Sequence, residues 1–121
     1  MSVKRASDVA CEPIGVGQGT IRQVLIGPGE GPNFVLRRFI MEPGGRMPPH
    51  KNTVEHEQYV LRGRARIGIG EDLLEVSADD VVFIPAGTPH WYQTLGDEPF
   101  EFLCVVPNSP DRIEILGEVG S

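Results

Sequence analysis

Apolar and polar residues alternate along several short stretches of this chain, which is the pattern of β-strands with one buried face. Ala65, Ile67 and Ile69 alternate with two arginines and a glycine, and this period of two predicts a half-buried strand. Residues 81–84 are entirely apolar and stop at Pro85, as a buried strand would. The pattern predicts about eight strands, at residues 21–26, 34–42, 57–62, 64–69, 73–76, 81–84, 90–95 and 100–106, with a candidate edge strand at 112–116.

Turn-forming residues separate these strands throughout the chain. There are 11 prolines and 15 glycines among 121 residues, while the runs of Ala, Leu, Glu and Lys that are typical of helices are missing. Residues 27–32 cannot continue a helix or a central strand, and the Pro-Gly-Gly at residues 43–45 is predicted to end the second strand. The sequence therefore predicts an all-β protein, built as one antiparallel sandwich or barrel.

The domain organisation is expected to be simple, because no internal repeat or long linker divides the chain. Residues 1–12 are polar and aperiodic, so we expect a flexible N-terminal arm that is partly disordered unless a partner subunit holds it. Residues 13–121 are expected to form a single β-barrel domain.

Charge and composition argue against several classes of function. The formal net charge of -6 disfavours a nucleic-acid partner, because phosphate binding needs clustered positive charge. No stretch resembles a signal peptide or is long enough to span a bilayer, so no membrane association is expected. Cys11 and Cys104 lie far apart and form no metal-binding pair by spacing, which indicates reduced thiols in the cytoplasm, with one disulfide as the alternative.

All three histidines of the chain lie in segments framed by glycine and proline. A lone histidine near a strand end is more often a surface residue or a satisfied polar residue than a ligand. In this chain, however, all three histidines lie in two such segments, and no histidine lies outside them. His50 and Asn52 face the same side of an extended backbone, with His56 further along, and a sandwich or barrel can fold the His90 strand opposite them. Three neutral imidazoles would suit one divalent ion, such as zinc, copper, nickel, iron or manganese.

Two motifs in these segments resemble those of the cupin superfamily. Gly44, His50, His56 and Gly63 are spaced as in the first cupin motif, whose usual form is Gly, His, His, Glu, Gly. Residues 85–90, Pro-Ala-Gly-Thr-Pro-His, resemble the second motif, Pro-x-Gly-x-x-His. The resemblance extends over residues 34–107, and it implies the cupin double-stranded β-helix, a jelly-roll barrel.

The chain is similar above all to small single-domain cupins whose first motif ends Trp-Glu-His-Glu and whose metal, often manganese, is held by four histidines. Residues 54–57 read Val-Glu-His-Glu here. The resemblance implies His50, His56 and His90 as metal ligands, with manganese or iron favoured over zinc, nickel and copper. Asn52 stands where those proteins have the second histidine, and its amide oxygen could bind the ion, hold a coordinated water or fail to reach.

The differences from the usual cupin motif at His56 and Asn52 affect the chemistry that the resemblance implies. His56 stands where a common cupin site has a carboxylate, so a bound divalent ion would keep two positive charges and favour an anionic ligand such as an enolate, phenolate, carboxylate or peroxide. Asn52 leaves open coordination positions, which catalytic metals need; loss of metal affinity in a binding protein is the alternative. Glu57 should point to the opposite face of a regular strand, so we do not expect it to be a ligand.

A substrate pocket is predicted beside the metal ligands. The faces shared with His56 and His90, and the apolar alternate positions of the last long strand, predict Gln58, Tyr92, Phe102 and Cys104 as wall residues. The resemblance adds Arg37, Phe39 and Met47. The apolar members could be core residues only, and Cys104 could be a core residue or an oxidation-sensitive group. A buried Arg37 would need an anionic partner, which a substrate could supply.

Two classes of function remain open. The first is a metal-dependent enzyme, expected to be a dioxygenase-like oxygenase or peroxide-using oxidoreductase acting on a small aromatic, enolic or alkene substrate. A non-redox isomerase, lyase or polyketide-type cyclase is its rival, because a Lewis-acid metal can stabilise an enolate. The second class is a small-molecule binding or sensing cupin without catalysis. Small cupins commonly pair through an outer sheet, so a homodimer is expected, to which Tyr59 and Leu61 could contribute.

Overall fold

A computed structural model describes residues 2–117, and β-strands make up most of them. Residues 118–121, the end of the predicted β-domain, lie outside the described residues. A short 3-10 helix at Ala6–Asp8 comes first. The strands are β1 (Glu12–Pro13), β2 (Gln18–Ile26), β3 (Phe34–Asn52), β4 (His56–Arg62), β5 (Arg64–Ile69), β6 (Asp72–Ser77), β7 (Val81–Ile84), β8 (His90–Leu95), β9 (Phe100–Pro107) and β10 (Ile113–Ile115). The predicted all-β class is confirmed.

The strands form one curled antiparallel sheet, in the order β6-β5-β8-β3-β9-β4-β7. β2 and β10 also pair with β3, and β1 pairs with β2. Strands that are distant in sequence therefore lie side by side, as in the predicted jelly-roll barrel. No helix in residues 2–117 has the length and apolarity that a membrane crossing requires.

The prediction that the second strand ends at residues 43–45 is wrong. β3 continues to Asn52, because residues 42–45 form a bulge instead of a turn. On β2, Thr20 pairs with Met41 while Gln18 pairs with Arg46, so extra β3 residues lie opposite one residue of β2. Gly44 has a φ of +80°, a conformation that glycine adopts without strain. β3 can therefore bend and pair first with β9 and then with β8.

Gly63 allows β4 to turn directly into β5. Its φ is +79°, and a Cβ atom placed there would lie 2.2 Å from the carbonyl oxygen of Pro99. A side chain at this position would be both strained and in collision with the backbone. The turn that separates the two predicted strands therefore requires glycine.

The core fills the inside of the curled sheet. β9 alternates strictly, with Phe100, Phe102, Cys104 and Val106 buried, as the sequence pattern predicts. The Phe102 ring stacks on those of Phe39 and Tyr92, with centroids 5.1 and 5.4 Å away. Further buried apolar side chains complete the core, and they include those of Met41, Val60, Ala65, Ile67 and Ile84.

The N-terminal residues lie along β2. The Gln23 side-chain amide donates hydrogen bonds to the carbonyl oxygens of Ala6 and Val9, at 2.8 and 3.0 Å. Lys4 forms an ion pair with Glu30. The predicted boundary between residues 12 and 13 falls inside β1. Whether residues 1–12 behave as a flexible arm in solution stays a prediction.

Candidate metal centre and ligand cavity

Three strands bring the three histidines into one cavity. His50 on β3 is the direct cross-strand partner of His90 at the start of β8, and their ring centroids are 4.2 Å apart. His56 opens β4, and its ring centroid is 5.5 Å from that of His90. The three side chains are almost completely buried, at 5%, 6% and 2% exposure for His50, His56 and His90.

Backbone carbonyl groups orient two of the rings. Nδ1 of His50 lies 2.7 Å from the carbonyl oxygen of Pro48, and Nδ1 of His90 lies 2.9 Å from that of Thr88. A carbonyl oxygen can only accept a hydrogen bond, so Nδ1 carries the proton in both rings. Nε2 of each ring therefore keeps its lone pair, which is the state that a metal ligand needs.

His56 has a different outer contact. Its Nδ1 lies 3.3 Å from Sγ of Cys104 and 3.5 Å from Nη2 of Arg37. The arginine contact is at the long limit for a nitrogen hydrogen bond, so Cys104 is the closer polar neighbour of this ring nitrogen. His56 Nε2 is buried without a hydrogen-bond partner, which leaves it available to a ligand in the cavity.

Burial keeps the imidazoles neutral. It lowers the pKa of His56 to about 3, with further lowering by the positive charge of Arg37 and by electrostatic interaction with the neighbouring His90. It also lowers the pKa of His90 to about 4, with a contribution from His50, and it lowers the pKa of His50. All three rings are therefore in the neutral form near neutral pH, so a metal ion would not have to displace the second ring proton of an imidazolium.

Asn52 adds an oxygen donor to the same cavity. It is 8% exposed, its Nδ2 donates to a carboxylate oxygen of Asp111 at 3.0 Å, and its Oδ1 is buried without a partner. Three imidazole nitrogens and one amide oxygen suit a divalent transition ion in their chemistry. In residues 2–117, however, His, Cys, Asp and Glu side chains nowhere form a ready-made group of three or more that could hold a metal.

The cavity contains about 490 Å³ of empty space, part of it open to solvent. All seven residues predicted to line the pocket lie on its wall: Arg37, Phe39, Met47, Gln58, Tyr92, Phe102 and Cys104. Their role toward a substrate stays a prediction. Glu57 is exposed on the outer face of β4 and does not line the cavity.

Several wall residues were missed by the sequence reading, namely Ile14, Val16, Arg22 and Ile113. Ile14 and Val16 alternate around a glycine, which was a weak signal for one inward face. Asp111 was missed altogether, because its contact with Asn52 joins residues 59 positions apart and no local pattern reports it.

Arg37 places a positive charge at the cavity wall. Its guanidinium carbon lies 5.1 Å from the centre of the Phe39 ring, and its Nε is buried without a partner. No carboxylate in residues 2–117 forms an ion pair with it, and no acidic residue lines the cavity. Arg37 is half-buried, and a partly desolvated cation without a counter-ion is unfavourable, so the cavity is suited to an anion.

Tyr92 contributes a neutral hydroxyl group. Gln58 Nε2 donates a hydrogen bond of 2.7 Å to the Tyr92 oxygen, and burial raises the pKa of the phenol above its usual range. Because its oxygen accepts this bond, the Tyr92 hydroxyl proton is free to donate to a group in the cavity.

Comparisons with known proteins agree with the fold. Residues 37–106 match the cupin domain family. An uncharacterized protein of Methanocaldococcus jannaschii is 32% identical over 103 residues, which are 81% of this chain and 82% of that protein. A 1-methylthio-D-xylulose 5-phosphate methylsulfurylase of Rhodospirillum rubrum is 32% identical over 97 residues, 80% of this chain but only 62% of the enzyme.

A similar solved structure is that of the polyketide cyclase RemF from Streptomyces resistomycificus. It superposes with a TM-score of 0.85 at 33% sequence identity, over 98% of this chain and 88% of the cyclase. The similarity extends well beyond the two histidine motifs, since it includes both terminal regions of the barrel.

Proposed function

Because this chain belongs to the cupin family, as the match over residues 37–106 shows, we propose that it is a metal-dependent enzyme for small anionic substrates. His50, His56 and His90 hold the ion in this proposal, with manganese or iron favoured and zinc, nickel or copper as alternatives. Asn52 is the candidate fourth donor. Cupin folds carry many chemistries, so the proposal rests on the residues of the cavity.

The observation that carries the proposal is the charge of the cavity. Three neutral imidazoles and the unpaired guanidinium of Arg37 share a wall that contains no carboxylate. A divalent ion would add two positive charges to this wall, and an anionic substrate would offset both the ion and the arginine.

The residues around the ligands have separable tasks in substrate binding. The guanidinium of Arg37 lies over the Phe39 ring, and in this position it binds and orients the anionic group of the substrate. The stacked rings of Phe39, Phe102 and Tyr92 pack against a flat substrate and exclude water. The Tyr92 hydroxyl donates a proton in a hydrogen bond to a substrate oxygen, and Gln58 holds that hydroxyl in place. A bound divalent ion would supply Lewis-acid stabilisation of an enolate or phenolate oxygen.

We favour a non-redox reaction, an isomerisation, elimination or cyclisation that passes through an enolate. The similarity to a polyketide cyclase over nearly the whole chain supports this choice. An oxygenase or peroxide-using oxidoreductase is the second candidate, because Asn52 in place of a fourth histidine leaves room for an additional ligand. A binding or sensing cupin without catalysis is the third.

Metal reconstitution separates these functions. The purified chain is stripped with a chelator and loaded anaerobically with Mn²⁺, Fe²⁺, Co²⁺ or Zn²⁺, and the bound metal is counted. The loaded protein is then assayed with phenols, 1,3-dicarbonyl compounds and enols, with and without oxygen. Substrate consumption that does not need oxygen supports the non-redox function, and oxygen uptake supports the oxygenase. Tight ligand binding without turnover by any metal form would contradict both enzyme functions.

We also propose a homodimer and a cytoplasmic location. The outer face of β4 and β7 exposes Tyr59, Leu61, Val81 and Phe83 at 43%, 40%, 74% and 56%, and such an apolar surface suits a second copy of the chain. The thiols of Cys11 and Cys104 are both free, which is usual in a reducing compartment. Residues 1–12 are proposed to form an arm that a partner subunit could hold.

A further inference from the structure

The side-chain amide of Asn52 has a defined direction. Its Nδ2 donates to Oδ2 of Asp111, and a carboxylate can only accept hydrogen bonds. Reversing the amide would place its oxygen against the carboxylate, which is repulsive. Asp111 therefore fixes the assignment of oxygen and nitrogen, and it leaves Oδ1 buried without a partner in a residue that lines the cavity.

Asp111 is itself held in place by the strand next to it. Its Oδ1 accepts hydrogen bonds from the backbone nitrogen and the hydroxyl of Thr53, at 3.1 and 3.2 Å. The Thr53 hydroxyl in turn accepts a bond from the backbone nitrogen of Arg112 at 2.9 Å. The adjacent β10 pairs with β3 in the register that places Ile113 beside Asn52 and Ile115 beside His50. The carboxylate is thus attached to the strand that carries two of the proposed ligands.

We propose that Asp111 is a positioning residue that turns the Asn52 carbonyl oxygen toward the metal, so that Asn52 serves as an oxygen ligand or as the acceptor for a metal-bound water. This inference rests on the proposed metal site. It assigns a task to the C-terminal β10 region, which lies beyond the family match that ends at residue 106. Groups that orient metal ligands in this way commonly change metal affinity by about 10- to 100-fold when they are removed.

A double-mutant cycle on Asp111 and Asn52 tests the proposal. Asp111→Asn keeps the shape and the oxygen that accepts from Thr53, but it offers an N–H to Asn52 and so favours the reversed amide. We expect Asp111→Asn and Asn52→Ala each to weaken Co²⁺ binding by about 10- to 100-fold in a chelator-competition titration, and to shift the visible spectrum of the bound Co²⁺. In the double variant the loss should be no larger than in Asn52→Ala alone, because Asp111 acts through Asn52.

Two further variants keep the test decisive. Glu114→Gln removes a carboxylate of β10 that pairs with Lys51 at 3.4 Å, and it should leave Co²⁺ affinity unchanged. Thr53→Val removes the hydroxyl that donates to Asp111 and accepts from the backbone nitrogen of Arg112, and it should weaken Co²⁺ binding by a smaller factor. It replaces Asp111→Asn in the cycle if the latter fails to fold, as judged by circular dichroism of the metal-free protein.

The outcomes are distinguishable. Undiminished Co²⁺ affinity in Asp111→Asn, or an equal further loss when it is added to Asn52→Ala, overturns the positioning role and leaves the proposed metal site standing. A wild-type chain that binds none of the four metal ions overturns the metal site and, with it, this inference.

Discussion

At the scale of single residues, the cavity depends on the hydrogen-bond partners of the side chains that line it. The Nδ1 atoms of His50 and His90 face backbone carbonyls, that of His56 faces Cys104, and the Asn52 nitrogen faces Asp111. The contacts of His50, His90 and Asn52 use the proton-bearing nitrogen and leave the other donor atom of each group for the cavity. Arg37 is the exception, since its charge has no partner among the described residues.

The unpaired charge of Arg37 predicts selectivity for anions. We expect the wild-type protein to bind benzoate more tightly than neutral benzamide, and Arg37→Met to weaken benzoate binding by about 10- to 100-fold while benzamide binding changes little. The variant should also melt no earlier than the wild type without ligand, because an uncompensated cation is removed. Calorimetric titration and thermal melting measure these effects. Arg66→Met, at an exposed position of β5, is the matched control, and equal benzoate binding by the Arg37 variant would refute the assignment.

The lowered pKa values of His56 and His90 predict a loss of stability in acid for the metal-free protein. In the unfolded chain both rings titrate at about 6.5, while in the fold their pKa values are about 3 and about 4. As the pH falls from 6.5 toward 4, the unfolded state takes up protons that the folded state does not, so the free energy of unfolding decreases. Above pH 7 both states are neutral and this contribution is constant.

Urea unfolding in the presence of a chelator at pH 7, 6 and 5 measures this effect. His90→Gln removes one of the groups that titrate differently in the two states, so its stability should depend less steeply on pH. If wild-type stability stays constant from pH 7 to pH 5, the histidines are not buried in the neutral form.

At the scale of elements, β3 is the strand on which the site depends. Its first half carries Arg37 and Phe39 beside β9, and its second half carries Met47 and His50 beside β8. The bulge at residues 42–45 lets one continuous strand pair with β9 along its first half and with β8 along its second half. A strand that ended at residue 43, as the sequence predicts, would not place these residues on the wall of one cavity by strand pairing alone.

Two glycines allow the cost of backbone strain to be separated from that of a steric clash. Gly44 and Gly63 have similar positive φ values, +80° and +79°, but only at Gly63 does an added Cβ meet other atoms within 4 Å. Gly44→Ala should cost about 1 to 2 kcal/mol of stability from strain. Gly63→Ala should cost clearly more, because the clash with Pro99 is added. Urea unfolding midpoints measure both, and equal losses would contradict the clash.

At the scale of the whole molecule, both ends of the described chain close the barrel around the cavity. Ile14 and Val16 from the segment after β1, and Ile113 from β10, line the cavity together with the central strands. The outer face of β4 and β7 points away from this cavity and remains apolar. The cavity thus belongs to one chain, whereas the outer face is available to a second.

The proposed dimer is tested on this outer face. Phe83→Lys introduces a charge beside Glu57 and Val81 on the face of β4 and β7, and we expect it to shift the wild-type dimer to monomer, as measured by sedimentation velocity. Leu73→Lys on β6, at the opposite end of the strand order, has a similarly exposed leucine (63%) and should leave the dimer intact. A monomeric wild type, or a dimer unaffected by Phe83→Lys, would contradict the proposed face.

Local sequence patterns predict the class of fold, most strand positions and the two segments that carry the three histidines. Alternation of apolar residues is local, so β5 and β9 reveal their buried faces in a few residues. The spacing of the histidines within each of the two motifs is likewise a local feature, so it can be recognised without knowledge of the tertiary structure. Strand parity assigns Gln58, Tyr92, Phe102 and Cys104 to an inner face, and these four lie on the cavity wall, as do Arg37, Phe39 and Met47, which the family resemblance adds.

Tertiary structure alone decided how far β3 extends, what surrounds each ligand and how the cavity is closed. The bulge in β3 depends on the register with β2, and the contact between Asp111 and Asn52 joins strands that become neighbours only after folding. The lack of a counter-ion for Arg37 is a property of all its neighbours together. Such long-range contacts depend on where distant segments pack, and no local periodicity encodes them.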